Sequence, residues 1–198
     1  MTGRAPASLE EQAEMLASYD RWAAEAAYRV LVAAGEAGTG AVLWGLSHPN
    51  PRVRRYCADF LDHQGNDDCF EALREAALND GVPGVRCAAV HALGCQRCKT
   101  CPLTNDLVGL LVQVALFDDS ARVRQEAVHG MGQQPHDARA VEALTAVLHQ
   151  EGNKDLRRVA HYALMRQDPD YRRAVNQHAR ESGIASARAA SSPNSAMR

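Results

Sequence analysis

The sequence predicts an all-α protein, a right-handed α-α solenoid of about four helical hairpins with capping helices at both ends. One observation is a motif that recurs four times, beginning at Val53, Val85, Val123 and Leu156. Its second residue is always arginine (Arg54, Arg86, Arg124, Arg157) and its fifth is small (Cys57, Ala89, Ala127, Ala160). Its ninth is Leu or Met (Leu61, Leu93, Met131, Leu164). A second observation is the interval: 32 residues from Val53 to Val85, 38 from Val85 to Val123 and 33 from Val123 to Leu156. A period of that size marks stacked units, each covering the apolar face of the next. Composition is the third: aromatics make up only 5% of the chain, while Ala and Leu recur at helical spacing, which suits helices that cross closely.

The elements follow in order. Residues 1–37 are expected to form N-terminal capping helices, because Ser8-Leu-Glu-Glu11 is a capping-box signature and Asp20 can cap a second helix over 21–34. Residues 38–182 hold the array. Each motif is the second helix of a hairpin, and the first helices are expected near 41–46, 69–78, 107–117 and 141–148. The turns at 47–51, 79–83, 118–120 and 150–153 contain the Pro, Gly, Asn, Asp and Ser that reverse a chain and cap the helix that follows. Asp168-Pro-Asp-Tyr171 starts a last polar helix to about 181, and residues 183–198, rich in Ser and Ala, read as a disordered tail.

This motif and its register resemble the HEAT-repeat family, in particular the short bacterial form called the phycobilisome-lyase HEAT-like repeat, over roughly residues 38–166. The resemblance implies the fold. It leaves function open, since HEAT arrays serve as scaffolds, as partner-binding surfaces and occasionally as enzymes.

The 38-residue interval is longer than its neighbours, and the excess falls after Gly94 in an insertion, residues 95–104, that carries Cys95, Cys98 and Cys101. A Cys-x-x-Cys turn can place both sulfurs on one tetrahedral zinc ion at about 2.3 Å. Cys101 offers a third thiolate, and His91, one helical turn before Cys95, a fourth ligand on the same face, with Cys87 in reserve. Lys99 is expected to lower the thiol pKa values. The metal set is therefore His91, Cys95, Cys98 and Cys101, with zinc in a structural role. Free thiols are the alternative, because Cys57 fills a small core position that is alanine in the other repeats.

Register also aligns positions three and seven of the motif on one helix face. By resemblance the second helices line the concave side of the array, so Arg55, Asp59, Gln125, His129, Arg158 and Tyr162 are candidate partner-binding residues. The arginine ladder next to Asp80, Asp118 and Asp119 is explained by repeat-to-repeat ion pairs without any partner.

A net charge of -2 gives no bulk attraction to nucleic acid. No stretch reaches the roughly 20 apolar residues of a membrane span, and the chain start lacks the apolar core of a signal peptide, so a cytoplasmic location is expected. HEAT-type hydroxylases hold iron through His-Glu dipeptides, and none occurs here. The expected function is thus a non-enzymatic scaffold that binds a partner protein. The alternatives are an enzyme or lyase subunit on a HEAT scaffold, or a weak nucleic-acid binder.

Overall fold

Seven of the eleven α-helices among the described residues of this computed structural model start at a side chain that takes up a free backbone N–H group. The structure describes residues 7–95, 97–99 and 103–182. Ser8 and Glu11 form a reciprocal capping box ahead of α1 (Leu9–Met15), and Asp20 caps α2 (Arg21–Ala33). Four hairpins follow: α3 (Glu36–Gly45) with α4 (Pro51–Gln64), α5 (Phe70–Asn79) with α6 (Pro83–Gly94), α7 (Leu107–Phe117) with α8 (Ala121–Met131), and α9 (Ala138–Gln150) with α10 (Lys154–Gln167). The polar helix α11 (Pro169–Glu181) starts at Asp168, whose side chain accepts from two backbone N–H groups. Pro51, Pro83 and Pro169 each stand in a first helical turn, where the missing N–H costs nothing.

The motif forms the core. Val53, Val85, Val123 and Leu156, the small residues Cys57, Ala89, Ala127 and Ala160, and Leu61, Leu93, Met131 and Leu164 are all buried. The second helices pack directly on one another, α4 on α6, α6 on α8 and α8 on α10. Between α6 and α8 the approach is so close that a Cβ on Gly94 would stand 3.2 Å from the Cα of Gly130. A Cβ at Gly130 would meet the Leu111 side chain at 3.3 Å, so glycine at both positions eases the close crossing.

Three of the four motif arginines tie their own turn to the next hairpin. Arg54 donates to both oxygens of Asp80 (2.6 and 3.0 Å) and to the His48 carbonyl. Arg86 does the same with Asp118 (2.7 and 3.0 Å) and the Asp80 carbonyl, and also reaches Asp119. Arg124 takes Glu151 instead of an aspartate, and donates to the Asp118 carbonyl. Arg157 keeps the turn bond, to Glu151. The expected ladder is present, with glutamate as its third acid.

At the opposite edge, the last carbonyls of three second helices accept from side chains of the hairpin beyond. Lys99 Nζ donates to Leu61 and Asp62 at the end of α4 (both 3.2 Å). Gln134 donates to Gly94 of α6 (2.8 Å), and Gln167 to Met131 of α8 (2.7 Å). Helix ends leave carbonyls short of partners; here Leu61 also accepts from the Gly65 N–H and Met131 from the Gln134 N–H.

Candidate metal centre

The insertion is held to the preceding hairpins at two points. Lys99, only 8% exposed, anchors it to the end of α4, and Thr104 binds both carboxylate oxygens of Asp67 in the 3-10 turn before α5 (2.8 and 2.5 Å). Between these anchors, residues 96 and 100–102 lie outside the described residues.

This arrangement gathers four donors. Asp62 lies in the last turn of α4 and His91 in the last turn of α6. Cys95 is the first residue past α6, where the chain turns extended, and Cys98 follows on the loop. One ligand atom from each of the four lies within 4.8 Å of all the others. Cys95 Sγ and Cys98 Sγ share a hydrogen bond at 3.1 Å. His91 Nε2 faces Asp62 Oδ2 at 3.5 Å, while its Nδ1 is 2.7 Å from Glu126 Oε1 on α8. The other oxygen of Asp62, Oδ1, is buried and has no hydrogen-bond partner among the described residues. Buried carboxylate oxygens are seldom left so.

Charge in the cluster is balanced locally. Hydrogen bonds donated to Asp62 and Glu126 raise the His91 pKa to about 10, against the opposing effect of burial. Burial acts to raise the Asp62 carboxyl, but the hydrogen bond and charge of His91 outweigh it and hold the group below its ordinary value. The two thiols behave as a pair. Burial would raise Cys95, but the hydrogen bond from Cys98 outweighs it and its pKa falls, while the bond to Cys95 pushes Cys98 up to about 12. Two thiols, an imidazole and a carboxylate around one point are a soft donor set that suits zinc and disfavours magnesium or calcium. Two thiolates on a tetrahedral zinc stand roughly 3.8 Å apart at the usual bond length, so the pair would open slightly to take the ion.

Three of the four expected ligands, His91, Cys95 and Cys98, are brought together, and Cys101 lies outside the described residues. Asp62 stands in the cluster instead. Cys87 is buried and takes no part in it, its thiol raised by burial. Lys99 donates to the carbonyls of α4, and its charge also acts on the thiols of Cys95, Cys98 and Cys69, where it works to lower a Cys69 pKa that burial raises. The groove residues stand on α4, α8 and α10. Arg55, Gln125, His129, Arg158 and Tyr162 are exposed, and Asp59 is half-buried and 3.8 Å from Arg55. His129 and Tyr162 line one cavity of about 280 Å³ with Arg166. Gln125 and Arg158 do not reach it.

Sequence reasoning missed Asp62 and Glu126, and the repeat register holds a signal for both. Asp62 is the tenth residue of its motif, a position that is Gly94, Gly132 and Met165 elsewhere. Glu126 is the fourth, a position that is Tyr56, Ala88 and Val159 in the other copies. An acid at an otherwise uncharged register position marks each.

The family pattern for HEAT repeats matches residues 39–102, the stretch from α3 through the first cysteines of the insertion. Residues 39–102 carry HEAT repeats. No curated protein matches it. Among solved structures it is similar to the complex of CpcE and CpcF of phycocyanin lyase from Nostoc sp. PCC7120, with a TM-score of 0.63 and 20% identity over 78% of this chain and 96% of that one. Two engineered proteins also match, with TM-scores of 0.47 and 0.49 at 21% and 19% identity, over 81% of this chain and 81% and 79% of theirs. The expectation of a non-enzymatic scaffold is corrected by the first of these. The matched structure is that of a lyase, so this type of array occurs in an enzyme complex. Among the described residues no helix is long and apolar enough to cross a membrane.

Proposed function

We propose that this chain is a lyase-related subunit that works in a complex with a second protein chain and holds one structural zinc ion at Asp62, His91, Cys95 and Cys98. The observation that carries the reading is the similarity along 96% of a chain in the phycocyanin lyase complex. That protein is an assembly of two named chains. The partner is taken up on the second-helix face, where Arg55, Gln125, His129, Arg158 and Tyr162 are exposed and Asp59 is half-buried.

The zinc part rests on the buried oxygen of Asp62, without a hydrogen-bond partner among the described residues, beside two thiols and an imidazole. When bound, the ion fixes the insertion against α4 and α6. Its charge against two thiolates and one carboxylate leaves one negative charge, and the nearby Lys99 ammonium offsets it.

Two measurements test this. The tagged chain is purified from its host under native conditions and weighed intact, then added to phycocyanin while the visible spectrum is followed. A complex with one second chain, lost in Arg55→Ala, His129→Ala, Arg158→Ala, and a spectral change with the wild-type complex are expected. A chain recovered alone that leaves the spectrum unchanged overturns the lyase reading. Elemental analysis after anaerobic purification is expected to give one zinc per chain, absent from Cys95→Ser, Cys98→Ser. A wild-type chain that takes up no added zinc overturns the metal.

A further inference from the structure

Glu126 belongs to a different hairpin from every candidate ligand. Asp62 is on the first hairpin, and His91, Cys95 and Cys98 belong to the second and its insertion, whereas Glu126 projects from α8 of the third. Yet it makes the shortest polar contact around His91, 2.7 Å to Nδ1. Its side chain is only 25% exposed and has no arginine or lysine salt bridge among the described residues. The close crossing at Gly94 and Gly130 is what lets α8 approach near enough for this contact.

We infer that Glu126 is a positioning residue for the zinc site, and that through it metal binding and the stacking of the second hairpin on the third are coupled. The inference rests on the zinc reading above. With Nδ1–H held by the Glu126 carboxylate, the proton of a neutral His91 is fixed on that nitrogen. Nε2 then carries its lone pair toward Asp62 and the thiols. A metal-bound imidazole needs this tautomer and this ring orientation, and carboxylate partners of ligating histidines supply both. The ring can hold metal on one side and Glu126 on the other only while α8 stays against α6. Zinc therefore binds the stacked array more tightly than an opened one, and by reciprocity it strengthens the stacking. The ion thus joins three hairpins, although its ligands come from the first two and the insertion that follows them.

The test uses the full chain with zinc as the only added ligand. Affinity is read by competition with a coloured chelator for wild type, Glu126→Ala and Glu126→Gln, and cobalt substitution reports the donor geometry by its visible absorption. Removal of such an outer carboxylate costs roughly 10- to 100-fold in affinity, which is the loss expected for Glu126→Ala. Glu126→Gln is expected to recover most of it, because the amide oxygen accepts the same N–H. Hydrogen exchange is followed along α8 in the wild type with and without zinc, and slower exchange with zinc is expected. The inference is overturned if Glu126→Ala binds zinc as the wild type does with an unchanged cobalt spectrum, if Glu126→Gln is as weak as Glu126→Ala, or if zinc leaves α8 exchange unaltered. Should the alanine variant fold poorly, the glutamine variant and the wild-type exchange data decide. A wild type that binds no zinc removes the metal reading itself, which is a separate outcome.

Discussion

The junction between the second and third hairpins and that between the third and fourth solve one structural problem with different chemistry. Both must cover the open carbonyls at the end of a second helix that lies one hairpin back. At the later junction a neutral amide does it. Gln167, 2% exposed, donates to Met131 and Gln134 (2.7 and 2.8 Å), and its Oε1 accepts from the Asp137 backbone N–H (3.1 Å). Donors and acceptors are matched and nothing is left over. At the earlier junction a buried ammonium, Lys99, covers the carbonyls of α4, and around it stand two thiols and a carboxylate with one oxygen unpartnered among the described residues. Neutral groups can be satisfied completely within the chain. Charged ones leave valence for a further ion, and that surplus distinguishes the insertion from an ordinary spacer.

Substitutions can break this contrast. The largest stability effect is expected for Gln167→Leu, which removes side-chain bonds to four backbone groups, the carbonyls of Met131, Gln134 and Pro135 and the Asp137 N–H. The Met131 carbonyl keeps the Gln134 N–H. The loss is therefore about 3 kcal/mol by urea unfolding, at about 1 kcal/mol for each of the other three, with zinc affinity unchanged. Lys99→Met keeps the length of the stem but removes the ammonium. Without metal it is expected to lose about 2 kcal/mol for the two carbonyls of α4. Unlike Gln167→Leu it is also expected to weaken zinc binding, about tenfold, because the charge that offsets the thiolates is gone. Equal zinc affinity in the two variants would erase the distinction between the junctions.

The smallest effect per site concerns the arginine ladder, which spans both junctions alike. For Asp80 and Asp118 burial acts to raise the carboxyl, but Arg54 and Arg86 outweigh it and hold each below its ordinary value of 3.8. Such groups bind a proton less readily folded than unfolded, so their contribution is present above about pH 4 and is lost as pH falls further. Acid titration is therefore expected to loosen the turns of all hairpins together, whereas chelation at neutral pH loosens only the insertion. Hydrogen exchange under the two conditions separates them.

The fold was legible because burial leaves a periodic mark. A close helix crossing demands a small residue at position five and a large apolar one at position nine, and the chain repeats both. Half of the site was legible for a different reason: Cys95 and Cys98 are adjacent in sequence and His91 lies one turn away, so local spacing holds them together. Asp62 is 29 residues before His91 and Glu126 is 35 after it. Only the stacking of hairpins brings such residues together, and motif spacing within one segment carries no trace of it. The acid at the third ladder step escaped for a related reason, since Glu151 reaches across with a longer side chain where aspartate was expected.

The carbonyl covers at the ends of α4, α6 and α8 give the array a direction. Lys99 serves α4, Gln134 serves α6 and Gln167 serves α8, and each belongs to a later part of the chain than the helix it serves. Like roof tiles laid from one end, these three helices are each sealed from the C-terminal side, whereas α10, the last, has its Gln167 carbonyl 2.7 Å from Nδ1 of the earlier His136. During synthesis from the N-terminus each new hairpin completes the one already made. A chain cut short exposes the raw edge of its last finished unit, so the damage reaches one hairpin further back than the cut.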